Sequence, residues 1–438
     1  MSYFFQHVVS KSFFRWNPII LHNVIIAILA IAIQIQYDIS IGNLYIRLGI
    51  SDFIYPFILF FYVRTGNFIE FSKKNKKYIF WVVASSLVMI YSISIEYLNY
   101  GVINSWAIKK ILGWPVLIAY FGVGYVIGLA SKSRELFIKI FIISYSIIAA
   151  LQLMVFLISP LLLGHYLLIT PYNGWRLRGF LENPNAYGFL GVCVTAFQFS
   201  YYRLPLLSPV IKRVCLILST LAIFFTGSKS AMLSYMIFLL FFLSFKAISL
   251  RVIKWVGVSL IAVIVLIMSS AYFGKFMEDN SSTFYHHFEH NLKGTYFYSI
   301  GEVNKGVLER LHVNKLACES WVKSPFFGNG LGSFIETQKG ENTLEPMTIH
   351  NTYLWILSEM GLVGFSIFLI LPLMIFCSAW TQFKTSVANH HTALATIGLL
   401  VASAVGSLFN EFLYQRHLWL FLGIYVGSCQ VLSVIKQE

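Results

Sequence analysis

The chain has 438 residues, of which 58% are hydrophobic, 17% aromatic and 11% charged, against roughly 45–50% apolar and about 25% charged in soluble globular domains. That much apolar surface cannot be hidden inside a water-soluble fold. Lys and Arg outnumber Asp and Glu by 32 to 18, a formal net charge of +14, which in a membrane protein must be sorted by membrane side before any nucleic-acid partner is invoked.

Apolar stretches fall in chain order at about 19–36, 44–63, 78–95, 111–129, 136–159, 184–202, 213–227, 230–246, 252–273, 352–378, 392–409 and 417–434. Runs of about 18 apolar residues cross a hydrocarbon core of ~30 Å as helices, so the expected fold is an all-α polytopic bundle of about 12 transmembrane helices. No small-residue cleavage site follows the first stretch, which is therefore expected to remain as a helix with nothing removed. With the N-terminus inside, the cytoplasmic connections hold 18 of the 32 cations, among them Lys73, Lys74, Lys76, Lys77, Lys132, Arg134, Lys212, Arg213 and Lys254. Positive residues in short loops are retained in the cytoplasm, which favours both termini inside. Much of the positive charge is then a topology signal facing lipid head groups, and it needs no nucleic acid.

Cys193, Cys215, Cys318, Cys377 and Cys429 show neither CxxC nor metal spacing, so no disulfide framework or zinc site is expected. No internal repeat or low-complexity linker divides the chain. Three parts are expected: helices 1–9 in 1–273, one large extracytoplasmic loop in 274–350, and three last helices in 351–438. A connection that long in a compact protein usually carries function. Its stretch from Ser299 to Val322 reads as a surface helix, with Val303, Val307, Leu308, Leu311, Leu316 and Trp321 as its apolar stripe.

Polar residues gather on the external side. GWRLRGFLENPNAYG places Arg176 and Arg178 beside a Pro-Asn turn and a helix start. Guanidinium groups next to helix N-terminal amides make an anion site; the alternative is that both snorkel to lipid phosphates, and Asn183 and Asn185 are expected to cap the helix in either case. FTGSKSAML leaves Lys229 at the membrane surface between two short spans, where a cation is rarely kept without a task. The alternative there is a snorkelling turn. Arg310 falls on the surface helix, where a solvated face is the competing reading. Pro325, Gly328, Gly330 and Gly332 permit a tight, closely approached turn.

His350 stands where the loop meets a membrane helix, beside Asn351. Partial burial there can tune an imidazole that already titrates near neutrality, although an interfacial histidine can also be purely structural. His286, His287 and His290 form an HHxxH cluster, but no acid follows at zincin spacing, so no metal is expected. Glu359 is expected to balance a cation inside the bundle, and Glu411 to pair with Arg416.

RGFLENPN, TGSKSA, RLHVNKLACESWVKSPFFGNGLGSF and HNTYLWILSEMGLVG, in that order, resemble the bacterial O-antigen ligase and O-antigen polymerase superfamily. The resemblance covers about 170–435, and the first 170 residues match in hydropathy alone. It implies a fold like the C-type (GT-C) membrane glycosyltransferases and an inverting transfer at the periplasmic face of the inner membrane. The donor it implies is an undecaprenyl-pyrophosphate-linked glycan and the acceptor a glycolipid, with no metal, nucleotide sugar or other cofactor. By the same similarity Arg310 corresponds to the family's loop arginine, and His350 to the histidine that activates the acceptor hydroxyl. The family's other arginine, in a TxSRxA context, falls on Lys229. Lysine keeps the charge and loses the bidentate fork, so Arg176 or Arg178 is the candidate for the missing guanidinium. Ligases often carry HxHN where this chain has Thr348, Ile349, His350 and Asn351, which favours a polymerase, possible partner of a chain-length regulator, over a ligase. A transporter of lipid-linked sugars is disfavoured, because the charges gather at one face and no repeat is visible.

Overall fold

The computed structural model describes residues 18–41, 44–64, 75–158, 176–181, 183–201, 207–245, 300–339, 348–386 and 390–435. The elements run α1 (Pro18–Ala32), β1 (Gln36–Ile41), β2 (Leu44–Gly49), α2 (Ile50–Arg64), α3 (Lys76–Tyr100), α4 (Ser105–Leu129), α5 (Ser131–Ile158) and α6 (Pro184–Ser200). They continue with α7 (Pro209–Phe225), α8 (Lys229–Ser244), α9 (Ile300–Lys323), α10 (Ser333–Lys339), α11 (Thr352–Thr385), α12 (His390–Gly406), a 3-10 turn (Phe412–Tyr414) and α13 (Arg416–Ile435). Among the described residues four helices are long and apolar enough to cross a membrane: Lys76–Tyr100, Ser105–Leu129, Ser131–Val155 and Thr352–Thr385. The protein is thus a predominantly α-helical membrane protein. The expected span at 252–273 and the His286, His287, His290 cluster lie outside the described residues.

Helix starts follow side-chain chemistry. Asn104, Asn183, Ser208, Ser228 and Asn351 each accept a hydrogen bond from a backbone N–H of the first turn of α4, α6, α7, α8 and α11, satisfying donors that the helix itself leaves orphaned. Pro184 and Pro209 occupy the first helical positions, where no N–H is needed.

The first two expected spans differ from the structure. α1 ends at Ala32, and an antiparallel hairpin pairs Gln36 with Gly49 and Asp38 with Arg47 before α2 begins. Gln36, Asp38 and Ser40 alternate with Tyr37, Ile39 and Ile41, a period of two that a hydropathy window averages away. The Gly49 N–H donates to Asp52 Oδ2 at 2.7 Å, closing the hairpin onto α2.

α4 and α13 pack more extensively than any other described pair, and glycine is the reason. A Cβ on Gly124 would lie 2.3 Å from the Leu420 carbonyl oxygen, and one on Gly128 2.4 Å from that of Ile424. Reciprocally, Cβ atoms on Gly423 and Gly427 would meet the Phe121 and Tyr125 carbonyl oxygens at 2.1 and 2.2 Å. Two small-xxx-small pairs therefore let the helix backbones touch. Trp81, Trp114, Phe368 and Trp419 pack edge-on or tilted beside this seam, with ring centroids 5.1 to 6.5 Å apart.

α11 is broken at Gly361, whose backbone (φ 65°, ψ −168°) is open only to glycine. The turn after α9 fills the break. Leu362 and Val363 N–H donate to the Pro325 and Phe326 carbonyls at 2.9 and 3.0 Å, while Asn329 and Gly330 N–H donate to the Ser358 and Glu359 carbonyls, both at 3.0 Å. The expected close-approach turn is thus present, and it joins α9 to α11. Among the residues of α9 whose side chains are described, Val313 and Ala317 are buried, whereas Leu311 is exposed. Of the expected stripe, Leu316 packs against the core and Leu311 does not, while the side chains of Val303, Val307 and Leu308 lie outside the described residues.

Gly124→Leu or Gly427→Leu leaves no room for its side chain at the α4–α13 seam. Overpacking of this kind costs about 1–3 kcal/mol, so either variant is expected to lower the Tm of the detergent-solubilised protein. Melting curves that overlay the unsubstituted chain's would refute the backbone contact.

Candidate functional site

The helix ends Tyr100, Ser105, Pro184, Phe225, Lys229, Thr352, Gly406 and Arg416 collect at one end of the bundle, where Arg176, Arg178, Lys229 and His350 also fall. The turn between α7 and α8 is Thr226, Gly227 and Ser228. Thr226 Oγ1 donates to the Ile223 carbonyl at 2.6 Å and accepts from Ser228 N–H at 3.2 Å, and Ser228 Oγ caps α8. Lys229 follows in the first helical turn with its side chain exposed.

Arg176 closes this turn from the side. Its Nε donates to the Thr226 carbonyl at 2.7 Å and its Nη2 to Asn185 Oδ1 at 3.0 Å. The adjacent Leu177 N–H donates to the Phe225 carbonyl at 3.0 Å. Arg176 therefore fastens the α7–α8 turn to the start of α6, and the snorkelling alternative does not describe it. Arg178 is half-buried two residues on. Asn183 caps α6 as expected, whereas Asn185 serves as an acceptor for Arg176.

A hydrogen-bonded seam then links Lys229's turn to His350's helix. Ser228 Oγ lies 3.2 Å from Ser230 Oγ, and Ser230 Oγ accepts from Asn410 Nδ2. The Asn410 carbonyl accepts from Thr352 Oγ1 at 2.8 Å, and Thr352 N–H donates to the Ser407 carbonyl at 2.8 Å. Asn351 Oδ1 caps α11 through Tyr353 and Leu354 N–H at 3.0 and 3.1 Å. Lys229 lies between the two serines, and His350 precedes Thr352 by two residues, about 7 Å of chain at most.

His350 keeps an open face to solvent, yet the protein around it lowers its pKa below the ordinary 6.5. Burial of part of the ring contributes most, the Arg310 and Lys110 cations add to it, and the Glu411 carboxylate opposes them. Arg310, exposed on α9, is accordingly within electrostatic reach of the imidazole. The sequence-predicted Lys229, Arg310, His350, Arg176 and Arg178 thus share one end of the bundle, with Arg310 and His350 electrostatically coupled.

Two acid–base pairings differ from expectation. Arg416 pairs with Asp52, Nη2 to Oδ2 at 2.8 Å, and also donates to the Arg47 carbonyl at 2.7 Å. Glu411 pairs with Lys110 instead. Glu359, fully buried, accepts from the Trp355 indole N–H at 2.7 Å. Lys110, Asn410, Thr352 and the paired serines were not recognisable in the sequence, because each is a common residue whose partner lies on a distant helix. Among the described residues no group of His, Cys, Asp or Glu could hold a metal ion.

The arrangement defines a membrane protein with a cationic, imidazole-bearing polar site at one bundle end. Residues 214–369, which contain Lys229, Arg310 and His350, match the model of a family described as O-antigen ligase. That match supports the O-antigen ligase and polymerase superfamily already suggested by the motifs. No curated protein matches the chain.

Arg176→Ala leaves the Thr226 carbonyl and the Asn185 amide oxygen without their donor. A lost hydrogen bond of this kind costs about 1–3 kcal/mol, so the variant is expected to melt earlier, with Arg176→Lys intermediate. Equal Tm values for all three proteins would show that Arg176 does not fasten the turn.

Proposed function

We propose that this protein is a glycosyltransferase that moves a glycan from a lipid-linked diphosphate donor to a sugar hydroxyl at the extracytoplasmic face of a bacterial inner membrane. The observation that carries the proposal is the seam joining Lys229's turn to the start of α11, with the charge of Arg310 acting on His350. In this reading Lys229, Arg310 and Arg178 or Arg176 hold the diphosphate and stabilise the charge that develops on it as it departs.

His350 takes the proton of the acceptor hydroxyl. The oxygen forms the new glycosidic bond, the bond from the anomeric carbon to the diphosphate breaks, and a single displacement inverts that carbon. A lowered histidine pKa keeps the imidazole neutral, and so able to act as base, to lower pH. An apolar cleft of about 160 Å³ runs from Thr352, Ser407 and Phe412 towards Phe368, Pro372 and Leu422 and suits the donor's hydrocarbon chain. The twelve-span arrangement with both termini inside fits Lys76, Lys77, Lys132, Arg134, Lys212, Arg213 and Lys384, which lie at helix ends opposite the site.

For the acceptor, a second lipid-linked repeat unit is favoured by Thr348 standing where ligases often carry a second histidine. The protein would then be an O-antigen polymerase. Transfer to lipid A-core is the second reading, because the family matched is described as O-antigen ligase.

Deleting the gene and resolving the surface polysaccharide on a gel separates these outcomes. Lipid A-core bearing one repeat unit is expected for a polymerase, and bare core with polymer stranded on carrier lipid for a ligase. Single units trapped on the inner leaflet would overturn both in favour of a flippase. His350→Ala, in protein shown to insert normally, should reproduce the deletion pattern; persistent normal ladders would remove His350 as the base. Lys229→Ala should reduce transfer roughly 10- to 100-fold, as expected for one charge-assisted hydrogen bond, while Lys229→Arg retains it. Because protonation of His350 is disfavoured, activity should stay on its plateau below pH 6.5 and fall only as pH drops through the lowered pKa. An acid limb centred well above 6.5 would contradict this.

A further inference from the structure

The transfer chemistry leaves one ion pair beside the site without a task. Lys110 lies in the first turns of α4 and Glu411 just before the 3-10 turn, with side chains only 7% and 18% exposed, and the ammonium rests directly on the carboxylate. The Trp106, Trp355 and Tyr414 rings enclose the same ammonium, their centroids 4.3, 4.7 and 4.1 Å from Nζ. Tyr414 Oη also donates to the Lys110 carbonyl at 3.0 Å. Lysine is thus fixed by three aromatic faces, and the carboxylate is fixed by lysine.

Stability alone is a poor account of such a pair, since removing two charges from water roughly cancels their attraction. Its position says more. Glu411 follows Asn410, whose carbonyl is bonded to Thr352 Oγ1, and His350 is two residues before Thr352. The charged groups that act on the imidazole come from three elements: Arg310 of α9, Lys110 of α4 and Glu411. Glu411 is the anion among them. Among the described residues the carboxylate contacts Lys110 and makes no hydrogen bond to His350, so it acts on the imidazole through its charge alone.

We propose that Glu411 is a positioning residue for His350: held by Lys110 and its three rings, the carboxylate is the counter-charge towards which the imidazole turns as it takes the acceptor's proton. The O–H bond of the acceptor breaks, an N–H bond forms on His350, and Glu411 stays ionised throughout, stabilising the imidazolium. Lys110 sets how much of that negative charge the ring receives. The inference rests on the reading of His350 as base and deepens it.

The test reads His350 without turnover. In the purified full-length chain, diethyl pyrocarbonate modifies neutral imidazole, and mass spectrometry of the peptide carrying His350 follows the extent of modification against pH. Glu411→Gln is expected to move the midpoint down and Lys110→Met to move it up, each by about threefold in the protonation constant for charges acting across a partly solvated gap. The acid limb of transfer activity should follow in the same directions. Should Glu411→Gln leave Lys110 buried alone and fail to fold, the step from Lys110→Met to the double variant Lys110→Met/Glu411→Gln reports on the same carboxylate and should lower the midpoint. A pair that merely holds the fold together would reduce activity without displacing the midpoint in opposite directions, and that result would overturn the proposal. Unmoved midpoints with an inactive His350→Ala protein reject the positioning role and leave the base intact. Displaced midpoints with a fully active His350→Ala protein reject the base and leave the electrostatic coupling.

Discussion

The contact between α4 and α13 through Gly124, Gly128, Gly423 and Gly427 is the constraint on which the site's construction depends. In hydrocarbon there is little hydrophobic force to bring helices together, because lipid tails are as apolar as leucine, and close backbone packing supplies the attraction instead. Four missing side chains bring two helices into touch. The N-terminal turns of those helices carry Lys110 and Arg416, and both cations find carboxylates at once: Glu411 just before α13, and Asp52 on α2. Moving the helices apart by the width of a methyl group would separate Lys110 from Glu411 and leave two dehydrated charges. Backbone packing deep in the bundle therefore determines the electrostatics at its end.

A second constraint comes from the broken helix α11. Irregular backbone within a membrane protein must find hydrogen-bond partners, since lipid offers none. Here the exposed peptide groups around Gly361 are met by those of Pro325, Phe326, Asn329 and Gly330. The pairing also carries α9 with it, and α9 carries Arg310. The cation is thus referred to the same helix whose start presents His350, although 40 residues separate them in the chain. Lys229 reaches the helix by a different route, through Ser230, Asn410 and Thr352.

Membrane character was legible because a bilayer demands long apolar helices, and composition alone reveals that demand. That Lys229 and His350 stand at the starts of α8 and α11 was legible for a related reason: polar groups at apolar helix ends are conspicuous. The glycine turn after α9 could also be read, as glycine spacing is a backbone signal. Partner choice was not legible. Glu411 is five residues from Arg416 and was expected to bind it, but the 3-10 turn directs Glu411 towards α4 while Arg416 faces α2 and Tyr120. The hairpin at 36–49 was hidden because its alternation is short and it lies between two apolar helices. On α9 the expected Leu316 does pack against the core, whereas the burial of Ala317, a weak apolar signal, and the exposure of Leu311, a strong one, were not legible.

The interlocking of the Ser324–Gly332 turn with the break in α11 bears on how the outer arm behaves mechanically. An arm suspended from loops could swing independently of the bundle, whereas this one is riveted into a membrane helix partway along its length. A pull on α9 is transmitted through peptide groups into the helix whose start follows His350. The surface helix and the start of α11 therefore move as one shaft rather than as two hinged parts.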